Sequence, residues 1–210
     1  MPQAAQATAH KPGTMVVEPQ VLEGTHVRLE PLSIGHVDAL TAVGLDPDIW
    51  RWTVARNHTP EDMRRYVETA LAEQRAGQSL PFAIVERGSG RVVGSTRFAA
   101  IEPAHRRVEI GWTWIAPPWQ RTAVNTEAKF LMLRHAFETW RCVRVEFKVN
   151  PKNERSRRAV LRIGATEEGT LRKQQLNADG TTRDWVYFSI IDDEWPSVKR
   201  RLQGMMGDGT

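Results

Sequence analysis

The chain has 210 residues, of which 40% are hydrophobic and 26% charged, with a formal net charge of +4. That balance is the one expected of a single globular domain, and no stretch approaches the ~18 uninterrupted apolar residues of a membrane-spanning helix. A lone cysteine, Cys142, excludes an intrachain disulfide and a cysteine-based metal framework, and the six histidines show no paired ligand spacing. The first fifteen residues lack the basic start and apolar run of a secretory signal, so the expected compartment is the reducing cytoplasm. A basic excess suits an anionic ligand. The arginines are dispersed, however, without a stripe of basic and aromatic residues, so nucleic acid is not the expected partner.

The opening residues are rich in Ala, Gln, Pro and Thr and show no periodicity, which predicts a disordered tail over 1–18. One folded domain over 19–204 and a frayed end over 205–210 complete the expected organisation. Residues 26–32 (HVRLEPL) alternate apolar and polar side chains as a half-buried strand does. The apolar spacing over 33–43 is helical, with Ser33 as the cap and Gly44 just past the end. Residues 46–53 (DPDIWRWT) read as a loop carrying Trp50 and Trp52. Thr59, Pro60, Glu61 and Asp62 then supply a cap, a first-position proline and first-turn acids to a helix reaching Arg75. Strands over 80–86 and 92–99 flank Arg87-Gly88-Ser89-Gly90, a hairpin signal.

Residues 110–115 are apolar almost without interruption and predict a central strand, stopped by Pro117 and Pro118, which cannot donate to a ladder. The following helix is expected to start at Asn125 as its cap and to carry Phe130, Leu133, Phe137 and Trp140 on one face. Beyond a strand that Cys142 opens, a second hairpin turns at 177–180 between strands over 170–176 and 182–191, and a last helix starts near Asp192. This order predicts an α/β (α+β) fold on a mixed, mostly antiparallel sheet. Trp112, Trp114, Trp119 and Trp140 all fall in the central stretch, as core bulk first and channel walls second.

The stretch from Trp119 to Thr126 joins the central strand to its helix. A polar loop there offers unpaired backbone N–H groups and the positive end of the helix dipole to an anion. Arg121 adds charge, and Thr122 and Thr126 add hydroxyl donors. Glu127 in the first turn would repel a phosphate, so its side chain is expected to point away.

A longer series of motifs runs in order through the chain. It comprises Glu109-Ile110-Gly111-Trp112, Pro118-Trp119, Thr126-Glu127-Ala128, His135-Ala136-Phe137-Glu138 and Val143-Arg144-Val145-Glu146. Asn150-Pro151-Lys152-Asn153-Glu154-Arg155-Ser156, Ile163-Gly164-Ala165, Glu168-Gly169, Arg183-Asp184 and Glu194-Trp195 follow. Over residues 21–202 this set resembles the GNAT acyltransferase superfamily, in its RimJ/RimL-like N-acetyltransferase branch. The resemblance implies a sheet with splayed central strands and flanking helices. It implies acetyl-CoA as co-substrate, a primary amine (a protein N-terminus or a small amine) as acceptor, direct transfer between them, and a homodimer as one form of assembly.

The same resemblance assigns residues. The strand through Trp114 and Ile115 would part from the strand beginning at Val143, with the pantetheine arm of CoA in the gap against the backbone of Trp114 and Ile115. Gln120, Arg121, Thr122, Ala123, Val124, Asn125 and Thr126 would cradle the pyrophosphate, and Asn153 and Ser156 would border the pantetheine and thiol. The family's Gln/Arg-x-x-Gly-x-Gly/Ala loop is replaced by QRTAVN, which lacks glycine and is one residue longer. The tyrosine acid of many members is replaced by Val160-Leu161. Glu109 is the candidate base, acting through water; its other reading is a strand residue paired with Arg106 or Arg107. Ser156 is the candidate hydrogen-bond donor to the thiolate; its other reading is a first-turn serine capped by Asn153. The acceptor wall is expected from 46–57 and the 177–180 turn, with Trp50 and Trp52 favouring an acceptor with an apolar part. Three alternatives stand beside this reading: a CoA-binding or sensing module with little catalysis, a basic nucleic-acid or ribosome-associated binding protein, and a different acyl donor such as succinyl-CoA.

Overall fold

The computed structural model describes residues 15–177 and 179–207. Its strands are β1 (Leu22–Glu23), β2 (Val27–Pro31), β3 (Ser79–Glu86), β4 (Arg91–Glu102), β5 (Arg107–Ile115), β6 (Arg144–Val149), β7 (Thr166–Leu176) and β8 (Thr182–Ile191). They form one sheet in the order β1-β2-β3-β4-β5-β6-β8-β7. Every neighbouring pair is antiparallel except β5 and β6, which run parallel. The helices are α1 (Val37–Gly44), α2 (Pro47–Trp50), α3 (Pro60–Arg75), α4 (Ala123–Arg134), α5 (Glu154–Arg162) and α6 (Trp195–Gly207). The expected α/β class with a mixed, mostly antiparallel sheet is what the chain adopts.

Helices cover both faces. On one face α4 and α6 bury Leu131, Met132, Leu133, Val198 and Leu202 against Phe98, Val108, Ile110 and Phe188 of the sheet. On the other, α1 and α3 bury Leu40, Met63, Val67 and Ala70 against Ala83 and Trp114. Burial on both faces explains why β3 is apolar almost throughout rather than alternating.

Several boundaries differ from the expected ones, each for a local reason. The cap of α4 is Thr122, not Asn125: its hydroxyl accepts from the Val124 N–H at 3.3 Å, leaving Asn125 inside the first turn. The stretch 46–53 is not all loop, because Asp46 accepts from the Asp48 N–H at 2.9 Å and Pro47 opens the short helix α2. Gly44 lies in the last turn of α1 rather than beyond it. Within the stretch 1–18 expected as a tail, Met15 is buried and the Val16 carbonyl accepts from Trp140 Nε1 at 2.8 Å, so these two residues pack on the domain. At the other end α6 runs to Gly207, with Met205 and Met206 packed on the core, so the fraying expected from 205 does not begin there. Residues 1–14 and 208–210 lie outside the described residues.

The expectation for Glu127 holds, and the side chain has a structural task. It is buried against Gly24, where a Cβ would stand 2.4 Å from its carboxyl carbon. Its oxygens accept from the backbone N–H groups of Thr25 (2.8 Å), His26 (2.6 Å) and Val27 (2.7 Å). One carboxylate thus staples α4 to the turn between β1 and β2. Replacing Glu127 with Ala strands these donors, at about 1–3 kcal/mol for a buried unmatched group. Only the Val27 N–H is fully buried, so chemical denaturation of Glu127→Ala is expected to show a loss of about 1–3 kcal/mol; an unchanged stability would contradict the staple.

Candidate active site

Parallel pairing between β5 and β6 is brief. It comprises Arg107↔Arg144, Val108↔Val145 and Glu109↔Glu146, and ends there. Just beyond, Trp112 takes a positive φ of 49° and the β4–β5 register slips between Ser95 and Arg97. A bulge of this kind bends its strand and sharpens its twist. Gly94 lets the bent strand approach β4: a Cβ there would meet the Trp114 carbonyl oxygen at 2.1 Å. The strands therefore part after Glu109, and the sides of Trp114 and Ile115 that face β6 have no strand partner.

A cavity of about 1340 Å³ occupies the parting and extends to both faces of the sheet. It exceeds the ~300–1,000 Å³ of an ordinary small-ligand pocket and has room for two reactants. Of the expected site residues, Glu109, Trp114, Ile115, Gln120, Arg121, Thr122, Asn125, Asn153 and Ser156 line it. Ala123, Val124 and Thr126 do not, and Val124 and Thr126 are buried. The Thr122 hydroxyl donates to the Trp119 carbonyl at 2.7 Å while capping α4. Gln120 bridges the mouth: its Nε2 donates to the Ile115 carbonyl (2.8 Å) and its Oε1 accepts from Arg155 (2.7 Å). Asn153 caps α5 by accepting from the Ser156 N–H at 3.1 Å, which leaves the Ser156 hydroxyl uncommitted to that bond.

Glu109 is 5% exposed and meets Lys148, not the arginines weighed above; its Oε2 lies 2.8 Å from Lys148 Nζ. Arg107 instead pairs with Glu102 at 2.7 Å. Burial pushes the Glu109 carboxyl above its ordinary pKa, outweighing the opposing charge of Lys148. Lys148 is itself held above its ordinary value: burial works against its charge, and Glu109 together with Tyr187 and Glu146 more than offsets that. Its ammonium lies 5.3 Å from the Tyr187 ring centroid.

Two groups were not anticipated. The first is Lys129, buried on α4 beneath the parting, whose Nζ donates to Thr113 Oγ1 at 2.6 Å. Burial lowers its pKa to about 7, with the charge of Glu109 opposing. Nothing in the sequence marks it, because a lysine among the apolar residues of a helix normally turns to solvent. The second is the cationic face of α5, where Arg155, Arg158 and Arg162 line the cavity opposite the α4 N-terminus, and Arg162 also donates to Thr126 Oγ1 at 3.0 Å. Their three- and four-residue spacing is visible in the sequence as a stripe on one helix face.

The acceptor wall is corrected in one part. Trp52, Arg56 and Asn57 line the cavity as expected, and the indole of Trp50 packs in the core while bordering it. No described residue of the 177–180 turn does so. The hairpin carries that turn past the cavity, and Gln174, Gln175, Trp185 and Tyr187 on its strands line it instead. Cys142 is a buried hydrophobe whose thiol is pushed up to about 12 by burial.

A sheet opened between two parallel strands, with a helix N-terminus at one end and a buried carboxylate at the other, defines an acyltransferase type of fold. The family model of the GNAT acetyltransferase domain matches residues 26–166, so the chain belongs to the GNAT superfamily. Its relatives lie in the RimJ/RimL-like branch. Mycobacterium smegmatis RimJ, solved in complex with CoA-disulfide, is 29% identical with a TM-score of 0.71, over 92% of this chain and 95% of that one. YdaF of Bacillus subtilis, whose name proposes a ribosomal N-acetyltransferase, is 31% identical over 143 residues, 67% of this chain and 76% of that protein. A structure from T. thermophilus, titled as a proposed acetyltransferase, is 40% identical with a TM-score of 0.83, over 91% and 100% of the two chains.

Lys129 has a consequence that denaturation can read. Its pKa is about 7 in the folded chain against an ordinary 10.5, so the unfolded chain binds more protons between those values. Stability therefore rises with pH across that window through this group. Lys129→Met is expected to flatten that slope between about pH 7 and 10.5; an unchanged slope would show that Lys129 is not buried as described.

Proposed function

We propose that this protein transfers an acetyl group from acetyl-CoA to a primary amine without a covalent enzyme intermediate. The observation that carries the reading is the parting of β5 and β6 beside a buried carboxylate. The backbone edge at Trp114 and Ile115, which lacks a strand partner and whose Ile115 carbonyl is held by the Gln120 side chain, suits the amide groups of a pantetheine arm, as an added strand would. The phosphate end needs positive charge. The departure of QRTAVN from the family loop is balanced by the guanidinium groups of Arg121, Arg155, Arg158 and Arg162 around the α4 N-terminus. Arginine binds phosphate through paired N–H donors without requiring a glycine-lined backbone. The residues present thus fit CoA.

On the acceptor side, an amine must lose a proton before its nitrogen attacks. We assign acceptance of that proton to Glu109, directly or through one water, a role supported by its place on the cavity wall and by the raised pKa that brings it nearer to neutral pH. Lys148 holds the carboxylate in place and neutralises it between turnovers. We assign the donor to the departing thiolate to Ser156, whose place on the cavity wall supports that role in the absence of the tyrosine.

Two measurements test this. Calorimetric titration is expected to show CoA binding in the micromolar range, and no binding at millimolar CoA would overturn the reading. Glu109→Gln is expected to lower kcat by about 100-fold while leaving CoA affinity nearly unchanged. Because the base is lost on protonation, the wild-type rate should fall on the acid side of neutrality. An equal rate for Glu109→Gln across pH would remove Glu109 as the base.

A further inference from the structure

Trp112 combines three properties that seldom meet in one residue. It is 44% exposed, takes a φ of 49° and lines the cavity. The first two work against stability, because an exposed indole forgoes burial and a bulky side chain in the left-handed region is strained. The bulge that parts β5 from β6 explains the backbone but not the indole. Glycine takes that conformation without strain, and it is the usual residue where a bulge demands it.

A layered stack holds the indole in place. Arg97 is 2% exposed and lies 2.6 Å from Glu73. Its guanidinium is 5.2 Å from the centroid of the Tyr66 ring and 5.1 Å from that of Trp112. Tyr66 in turn meets the Trp50 ring edge-on, 5.7 Å away between centroids. Trp50, Tyr66 and Arg97 are all buried, so Trp112 is the outermost layer. One side of the indole rests on the guanidinium, and the exposed remainder borders the cavity.

This surface adjoins the proposed base. Arg97 pairs across the ladder with Gly111, and Ala99 with Glu109, so Arg97 and Glu109 share a face of the sheet. The Glu109 carboxylate leans over Gly111, the residue before Trp112: a Cβ there would lie 2.8 Å from Glu109 Oε1. Consecutive Cα atoms are ~3.8 Å apart, so an amine at Glu109 and a body on the indole are joined by only a carbon or two.

The charged side chains around this surface are matched within the protein. Glu73 holds Arg97, and Lys148 holds Glu109. Asp62 accepts from the backbone N–H groups of His58 and Thr59 and faces Arg65 at 3.6 Å. Arg56 donates to the carbonyls of Trp50 and Thr53. The neighbouring aromatic rings of Trp52, Tyr187 and Trp185 already carry Arg51, Lys148 and Arg183, at 5.1, 5.3 and 5.4 Å from their centroids. A cationic body would meet these groups as like charges, whereas a neutral ring meets exposed indole.

We propose that Trp112 determines acceptor specificity, and that the acceptor is a primary amine one or two carbons from an uncharged aromatic ring laid on the indole. The inference rests on the acetyltransferase reading above. A small arylalkylamine and a peptide beginning with phenylalanine both present this chemistry, and the test separates them.

The test is acetyl-CoA-dependent thiol release by the full chain with two pairs of acceptors: phenethylamine against putrescine, and Phe-Ala-Ala against Lys-Ala-Ala. In the pair that is turned over, the ring-bearing member is expected to exceed the charged one in kcat/KM by at least about tenfold, and that pair identifies the source as small amine or peptide. Trp112→Gly is expected to erase the preference by raising KM for the ring-bearing acceptor about tenfold, with CoA affinity by calorimetry within about twofold of the wild type. Its denaturation midpoint should stay close to the wild type's, because relief of the strained backbone offsets the lost contact with Arg97. Trp112→Asn, which also tolerates the left-handed region, should lose the preference too, and Trp112→Phe should restore most of it. Equal use of ring-bearing and charged acceptors by the wild type overturns the proposal. So does a preference that survives in Trp112→Gly or Trp112→Asn, which would leave the indole as a cover over the Arg97–Glu73 pair; either result leaves the acetyltransferase reading standing. Binding of CoA with no release from any of the four acceptors also overturns it. Failure to bind CoA at all removes both readings.

Discussion

The early parting of two parallel strands is the constraint on which the rest of this molecule depends. Three residue pairs hold β5 to β6, and beyond Glu109 the sheet has no ladder between them. Unpaired backbone groups inside a protein are costly, so such an opening persists only where neighbouring structure enforces it. Here the enforcement is local. The bulge at Trp112 turns the strand, Gly94 admits its carbonyl, and Lys129 reaches from α4 to bond Thr113 on the far side of the bend. The Glu127 staple fixes α4 against the β1–β2 turn, so the helix that bears Lys129 has a set position.

The electrostatics follow from the same opening. Glu109, Lys148 and Lys129 stand around the point where the strands separate, and removing charges from water is expensive unless they are paired. Glu109 and Lys148 pair directly at 2.8 Å, whereas Lys129 has a hydroxyl as its hydrogen-bond partner. Perturbed groups of opposite tendency in one cleft, a carboxyl drawn up and an amine drawn down, mark a place where protons move at modest cost. Packing alone would have been served better by apolar residues of similar volume, which supports the proposed role of Glu109.

Much of the fold was legible because its signals are local. Thr59 and Pro60 announce α3, Arg87-Gly88-Ser89-Gly90 announces the β3–β4 hairpin, and Pro117-Pro118 announces the end of β5. The ordered motifs pointed to the parting of the strands, and that feature is present. Less legible were features that depend on which way one side chain turns. Asn125 and Thr122 are both good caps, and only the backbone conformation at Thr122 decides between them. A tryptophan at positive φ leaves no trace in composition, since glycine is the usual occupant of that region. The partner of Glu109 was sought among its sequence neighbours, Arg106 and Arg107. It comes instead from Lys148 on the adjoining strand, far along the chain, where no local pattern encodes the pairing.

The Gln120 bridge alters what association at this site means energetically. In the structure the Ile115 carbonyl already has a donor in Gln120 Nε2, and Gln120 Oε1 already has one in Arg155. A pantetheine amide that takes the Ile115 carbonyl exchanges one hydrogen bond for another rather than adding to their number, so that contact contributes register more than affinity. If the Gln120 side chain turned away in that proposed complex, Arg155 would lose its partner and its guanidinium would be available to a phosphate. In the proposed CoA complex, seating of the arm and capture of the charged end would be two halves of one swap, with Gln120 as the common exchange partner.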